Sequence, residues 1–315
     1  MDVISLGESM VLFTPETNGL MRYAKSFSSK IAGAETNTLT GLARLGHRTG
    51  WISRLGQDEF GEKILSAVRG EGIDTTEVVR DKEAPTGIYF KELVNESATR
   101  IHYYRRGSAA SRLTPDDISE DYIKRARYLY ITGITPALSE SCEKTVFYSI
   151  SLAKQHGVKV VFDPNLRKKL WSEEKARKTL LDIALQADIV LPGISEGEFL
   201  FGTSNHEEIA SCFHDRGAEL VVVKLGAKGA YYSAGIESGV VPGSKIDRLI
   251  DPVGAGDGFA AGFLSALLDG AGLEDSVRRA NAIGAIVTTV NGDIEGLPDR
   301  ELLFGFLDSA EDVAR

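Results

Sequence analysis

The stretch Asp251-Pro252-Val253-Gly254-Ala255-Gly256-Asp257-Gly258 runs directly into an apolar segment, Phe259–Leu268, that reads as a helix. Glycines at 254, 256 and 258 let the backbone take left-handed conformations and approach a ligand closely. A helix opening behind them presents unpaired N–H groups and the positive end of its dipole, so the turn is a site for an anion. Asp257 sits in the same turn. A carboxylate there makes chemical sense when a reacting hydroxyl lies between it and a bound phosphate: the N–H groups stabilise the transferred phosphoryl group, and Asp257 accepts the hydroxyl proton. On residue types alone, a helix start with an acidic cap explains the turn equally well. Other phosphate motifs fit worse. The chain has no G-x-x-x-x-G-K-[ST], and Gly254-Ala255-Gly256 is not completed to G-x-G-x-x-G because position 259 is Phe. A dinucleotide fingerprint would also fall in the first β-α unit, not near residue 254.

Upstream of this turn, short apolar runs at Val3–Leu6, Tyr128–Thr132, Val158–Phe162, Ile189–Leu191 and Leu220–Val223 read as buried parallel strands. Helical patterns alternate with them. Glu35–Leu45 stops at Gly46, Asp58–Val68 opens on an acidic pair, and Ser139–His156 and Glu173–Gln186 continue the series. Downstream, Ser276–Val290 reads as a second apolar helix. The alternation predicts an α/β fold: a mainly parallel sheet flanked by helices on both faces. Two stretches break it, Val11–Ile31 and Thr86–Arg105, where Ile88–Val94 and Thr99–Tyr104 alternate with period two. They predict antiparallel strands solvated on one face, forming a small β-strand lid from about 11–31 and 86–105; an edge hairpin without a role is the other reading. With no linker composition, residues 1–315 are expected to form a single domain.

With 45 carboxylates against 36 Lys and Arg, the chain carries a net charge of −9, which argues against binding nucleic acid or an anionic membrane surface. Any anionic ligand must therefore be held locally. The amino terminus lacks a signal-peptide pattern and no stretch has 18 consecutive apolar residues, so a cytoplasmic protein is expected. Cys142 and Cys212 are isolated and read as buried, inert thiols. The five histidines form no H-E-x-x-H, which makes histidine-centred catalysis a poor fit.

Asp251–Leu264, DPVGAGDGFAAGFL, closely resembles the carboxyl-terminal signature of the ribokinase-like (PfkB) carbohydrate kinases, and Gly33–Gly61, GAETNTLTGLARLGHRTGWISRLGQDEFG, resembles their amino-terminal signature. The resemblance extends from Leu6-Gly7-Glu8 to the helix around Asn281. It implies a ribokinase-like fold and an ATP-dependent sugar kinase, with Gly254, Ala255 and Gly256 as anion hole and Asp257 as base. It implies ATP contacts along Lys224-Leu225-Gly226-Ala227-Lys228-Gly229, at Asn281, and at Asn165, Leu166 and Arg167. Magnesium is expected to bridge the ATP phosphates. The family's N-x-x-E motif falls on Gly193-Ile194-Ser195-Glu196, so Glu196 remains as a water-mediated metal contact while Gly193 replaces the Asn. A monovalent cation such as K+, held near Asp251 and Val253, is also implied. Lids in this family often pair across a two-fold axis, which implies a homodimer or higher homo-oligomer.

Within the family, Tyr103-Tyr104-Arg105-Arg106-Gly107-Ser108-Ala109, Ile131–Leu138 and Asp163-Pro164-Asn165-Leu166-Arg167 look like the corresponding segments of 2-keto-3-deoxygluconate kinases. By that resemblance Gly33, Tyr103, Tyr104, Arg105, Arg167 and Asp293 line a sugar-acid pocket. An arginine holding a carboxylate through paired charge-assisted hydrogen bonds gives this a physical basis. A kinase of fructose or 5-keto-2-deoxygluconate, and a sugar and nucleotide sensor without turnover, remain the alternatives.

Overall fold

The computed structural model describes residues 1–95 and 98–313; residues 96 and 97 of the predicted 86–105 lid stretch, and 314 and 315 of the predicted 1–315 domain, lie outside the described residues. The strands are β1 (Val3–Leu6), β2 (Met10–Pro15), β3 (Phe27–Ala32), β4 (Thr49–Gly56), β5 (Val78–Asp81), β6 (Ile88–Asn95), β7 (Ala98–Tyr104), β8 (Tyr128–Thr132), β9 (Lys159–Asp163), β10 (Ile189–Val190), β11 (Leu220–Lys224), β12 (Ala230–Ala234) and β13 (Glu237–Val241). The helices are α1 (Ala34–Arg44), α2 (Glu59–Gly70), α3 (Glu120–Ile123), α4 (Glu140–Gln155), α5 (Glu173–Ala184), α6 (Ile194–Phe201), α7 (His206–His214), α8 (Ala255–Leu268), α9 (Leu273–Val287) and α10 (Arg300–Val313).

Nine strands form the main sheet in the order β13-β12-β11-β10-β9-β8-β1-β4-β5. From β11 to β5 the pairs are parallel, and β12 and β13 add an antiparallel edge. Alternate residues of the same strands feed two cores. Ile4, Leu129, Val160 and Val221 pack with Val146, Ile150 and Leu180 on one face. Val3, Tyr130, Val161 and Val222 pack with Leu39, Leu42, Phe259 and Val277 on the other. Burial on both faces explains why these strands read as continuous apolar runs. Helix starts follow their caps: Asp58 accepts from Gly61 N at 2.8 Å and Ser139 from Cys142 N at 3.1 Å.

The second sheet has the order β3-β2-β6-β7. Its outer pairs are antiparallel as predicted, but the central pair β2–β6 is parallel, correcting the wholly antiparallel expectation. The α1-β4-α2-β5 segment between them supplies the long crossover that parallel neighbours need. Strand β4 and the β12–β13 hairpin were not singled out from sequence. Helix α8 begins at Ala255, four residues before the expected Phe259, because Gly254 caps it at φ 81°. Glycines inside α8 are kept by packing: a Cβ on Gly262 would meet Ala280 Cα at 2.9 Å. Cys142 is buried as expected, whereas Cys212 is only partly so. Among the described residues no helix is long and apolar enough to cross a membrane.

Candidate active site

The order of the main sheet reverses at β1: the chain moves to β4 and β5 on one side and returns through β8 to β11 on the other. Ligands of open α/β sheets bind at such a switch point, beyond the carboxyl ends of the strands. A cavity of about 430 Å³ lies there. Glu8 reaches it after β1, Ile134 after β8, Asp163 from the end of β9 and Lys224 from the end of β11, while Met10, Tyr89, Lys91 and Tyr103 cover it from the smaller sheet. Gly33, Asn165, Arg105, Arg167, Gly254, Gly256, Asp257 and Asp293 also line it. Most of the predicted site residues therefore converge from distant parts of the chain.

Asp257 lies in the first turn of α8 and is buried. Burial pushes its carboxyl up to about 7; a hydrogen bond from Asn37 opposes that shift, and the carboxylates of Asp163 and Asp293 reinforce it. Asn37 Nδ2 donates to Oδ2 at 2.8 Å and fixes the carboxyl's orientation. The N–H groups of Gly256 and Asp257 find no backbone acceptor among the described residues, so the helix opens on unpaired donors. Gly254 is required twice over. Its φ is 81°, and a Cβ there would meet Asp293 O at 2.6 Å. Asp293 is buried with Oδ1 unpartnered, and burial raises its carboxyl to about 6 against the pull of Lys91.

A second cavity, about 300 Å³ and mostly apolar in its lining, adjoins the first through the shared residues Lys224, Pro252 and Gly256. Gly226, Ala227 and Gly229 line it from the predicted nucleotide segment and Asn281 from α9. Asn281 Nδ2 donates to Val241 O at 3.1 Å and Pro242 O at 3.0 Å, tying α9 to the end of β13. Leu225, Lys228 and Leu166 line neither cavity, against expectation. Leu225 and Leu166 pack on the core instead. Leu166 N donates to Glu196 Oε1 at 3.0 Å, so this residue serves the backbone of the turn.

On the sugar side the two arginines differ. Arg105 Nε donates to Glu8 Oε2 at 2.6 Å, and Nη2 lies 2.5 Å from the same oxygen, with the Glu8 side chain wholly buried. The expected carboxylate reader thus already holds a carboxylate of the protein. Arg167 is exposed at the cavity with no ion pair or side-chain hydrogen bond among the described residues. Tyr104 faces away, edge-on to Phe90 at 5.8 Å, which corrects its placement in the pocket. Successive strand residues point to opposite faces, so Tyr103 and Tyr104 cannot both line it. The same period places Tyr89 and Lys91 opposite Tyr103 and Ile101, on the cavity face. That signal was present in the sequence. Glu8, Glu35, Asn37 and Asp163 were missed because only tertiary contacts bring them to the cavity.

Both Glu196 oxygens accept backbone N–H groups, from Gly193 at 2.6 Å and Leu166 at 3.0 Å, so the first task of Glu196 is to cap α6. Asp251 Oδ2 accepts from Lys91 Nζ at 2.5 Å and its Oδ1 from Val253 N at 3.2 Å. The Asp251 side chain is thus matched to an ammonium, whereas the monovalent cation is expected at the backbone oxygens of Asp251 and Val253, which this ion pair does not engage. Among the described residues no three His, Cys, Asp or Glu side chains cluster as a metal site.

Comparison with known proteins extends the geometry to the whole chain. The family model for pfkB family carbohydrate kinases matches residues 1–300. Over 315 residues the chain is 42% identical to a 2-dehydro-3-deoxygluconokinase of Bacillus subtilis (strain 168), covering 99% of this chain and 97% of that one. It superposes on the crystal structure of a PfkB protein from Polaromonas sp. JS666 with a TM-score of 0.89 at 44% identity, covering 96% and 99% of the two chains. A fructokinase from Vibrio cholerae O395 in its fructose, ADP and calcium ion bound form gives 0.86 at 29% identity, covering 98% and 99%. With the match running through both signature stretches and the cavities they build, the chain belongs to the pfkB family of carbohydrate kinases.

Proposed function

We propose that this kinase transfers the γ-phosphoryl group of ATP to O6 of 2-keto-3-deoxygluconate, giving 2-keto-3-deoxy-6-phosphogluconate. The observation that carries the reading is Asp257, a buried carboxyl oriented by Asn37 that lines the larger cavity next to Gly256, a residue both cavities share, beside the open N–H groups of α8. In its ionised form it accepts the proton of the sugar hydroxyl as that oxygen bonds to phosphorus. The bond from the γ-phosphorus to the bridging oxygen breaks, and ADP leaves with the electron pair. A base titrating at about 7 is well matched to neutral pH. The apolar cavity beside Asn281 suits the nucleotide base. Magnesium would enter as part of the nucleotide substrate, with phosphates and water supplying most of its oxygens, and Glu196, whose oxygens each accept one backbone N–H, would reach it only through a water. The four-stranded sheet acts as the lid.

The sugar acid is supported by Arg167, a guanidinium at the cavity with no carboxylate partner among the described residues, and by the likeness to the Bacillus relative. One observation favours a second reading, a neutral ketose such as fructose: Glu8 cancels the charge of Arg105. Initial rates with ATP and magnesium on 2-keto-3-deoxygluconate, 5-keto-2-deoxygluconate and fructose decide between them, with NMR of the product to locate the phosphate. A higher kcat/KM on fructose would overturn the sugar-acid assignment.

A further inference from the structure

Among the described residues Lys224 is the cationic side chain that lines both cavities. It ends β11, its backbone N donates to Pro192 O at 2.7 Å, and it bridges to Gly193. Its Nζ donates to the buried Asp163 Oδ2 at 2.7 Å. An ammonium has three N–H donors, and the described residues supply an acceptor for one of them. The side chain is four-fifths enclosed, at 20% exposure, and lines both cavities, so its remaining donors are within reach of a ligand in either. A Cβ built on Gly256 would lie 4.0 Å from this Nζ, which brings the ammonium to the open end of α8. Buried donors left without acceptors are costly unless a ligand supplies them.

We infer that Lys224 is a catalytic residue that hydrogen-bonds the phosphoryl group in flight, with Asp163 as the positioning residue that aims it. This rests on the kinase reading of the site, and it goes further by separating transition-state stabilisation from nucleotide binding. As the acceptor oxygen bonds to the γ-phosphorus and the bridging oxygen departs, negative charge gathers on oxygens lying between the two cavities. A fixed ammonium at that junction meets the developing charge without rearranging, and in a site shielded from water such contacts are worth most. On that reading the nucleotide base sits elsewhere, in the cavity lined by Gly226 and Asn281. Loss of the ammonium should therefore fall on turnover and largely spare nucleotide affinity.

The test uses Lys224→Met together with the double variant Asp163→Asn/Lys224→Met, which removes both members of the pair and leaves no unpartnered buried carboxylate if the single variant fails to fold. Turnover is measured on whichever sugar of the panel the wild-type protein phosphorylates, so an error in the sugar assignment leaves this test intact. ADP affinity is measured by calorimetry, alone and with aluminium fluoride plus that sugar as a mimic of the transferring group. The expected result is a fall in kcat of about 10²–10³-fold with ADP affinity within about threefold of wild type, and loss of the tightening that aluminium fluoride gives. Turnover within fivefold of wild type would overturn the inference. So would equal losses in turnover and ADP affinity, or aluminium fluoride tightening that survives the substitution.

Discussion

Replacing Asp257 by Asn should make the protein a far poorer enzyme and, above neutral pH, a more stable fold. The carboxyl is buried and its pKa is raised to about 7 from 3.8, first because burial disfavours the charge. Between those two values the folded state holds a proton that the unfolded state has released, so the wild-type protein loses stability as pH rises through that window. A gap of about 3 units at about 1.4 kcal/mol each sets a ceiling of roughly 4 kcal/mol on the cost of ionising the group in the fold. An amide never incurs that cost and can still accept from Asn37. The variant should thus match the wild type near pH 4 and gain on it progressively up to about pH 8. Activity moves the opposite way. Losing a general base costs about 10²–10⁴-fold in kcat, or roughly 3–5 kcal/mol of barrier, with modest change in ATP affinity. The wild-type rate should climb with pH to a plateau above about 7, where Asp257 is ionised, and the variant's rate should be low without that climb. Coupled ADP release from pH 5.5 to 9 and denaturant melts over the same range read both. Near-normal turnover, or a stability difference that does not change with pH, refutes the assignment of the base.

The arginines separate by substrate. Arg167→Met should lower kcat/KM for the sugar acid by about 30-fold or more while changing a neutral ketose far less, because the side chain has no ion-pair or hydrogen-bond partner to lose among the described residues. Arg105→Met strands the buried Glu8 and should cost about 3–5 kcal/mol of stability, with acidic and neutral substrates impaired alike; a stable variant defective on the acid alone would return the carboxylate to Arg105. If the four-stranded sheet closes over substrate, hydrogen exchange in 11–31 and in the described parts of 86–105 should slow with sugar acid and a nonhydrolysable ATP analogue, more than in β8 and β9. An unchanged exchange pattern would leave the sheet as a fixed wall.

What was legible in the sequence follows the range of the interactions that specify it. β1 and β8 fall on their predicted bounds because burial on both faces writes a continuous apolar run into the residues. Helix starts at Asp58 and Ser139 were legible because a cap is a contact three residues long. The start of α8 was misplaced because Gly-Asp-Gly disfavours helix locally, and only the left-handed Gly254 and packing against α9 override that preference. In the site, the turn carrying Asp257 could be read since its glycines and acid are adjacent. The partners that define its chemistry could not. Asn37 is 220 positions away from Asp257, and Glu8 is 97 from Arg105. Nothing in either local sequence marks them as a pair.

Those long-range pairs also explain how an acidic protein can host anionic substrates. Glu8, Glu35, Asp163, Glu196, Asp257 and Asp293 line the larger cavity against Lys91, Arg105, Arg167 and Lys224, six acids to four cations. Three of the four cations are already committed, to Asp251, Glu8 and Asp163. Burial relieves part of the excess by raising Asp257 to about 7 and Asp293 to about 6, so at neutral pH neither is fully ionised. If Asp257 is the base, the relief works against catalysis, since it must be ionised to take a proton, and every anionic group that arrives raises its pKa further. Cations that act on the ligands without quenching Asp257 resolve the conflict. Arg167 lowers the Asp257 pKa and has no ion-pair partner among the described residues, which leaves it available to both. On the proposed reading, magnesium entering with the nucleotide would compensate charge as the charge arrives. The hydrogen bond from Asn37 then favours the ionised carboxylate in every state of the cycle, because it reaches Asp257 from the protein side and does not depend on what fills the cavity.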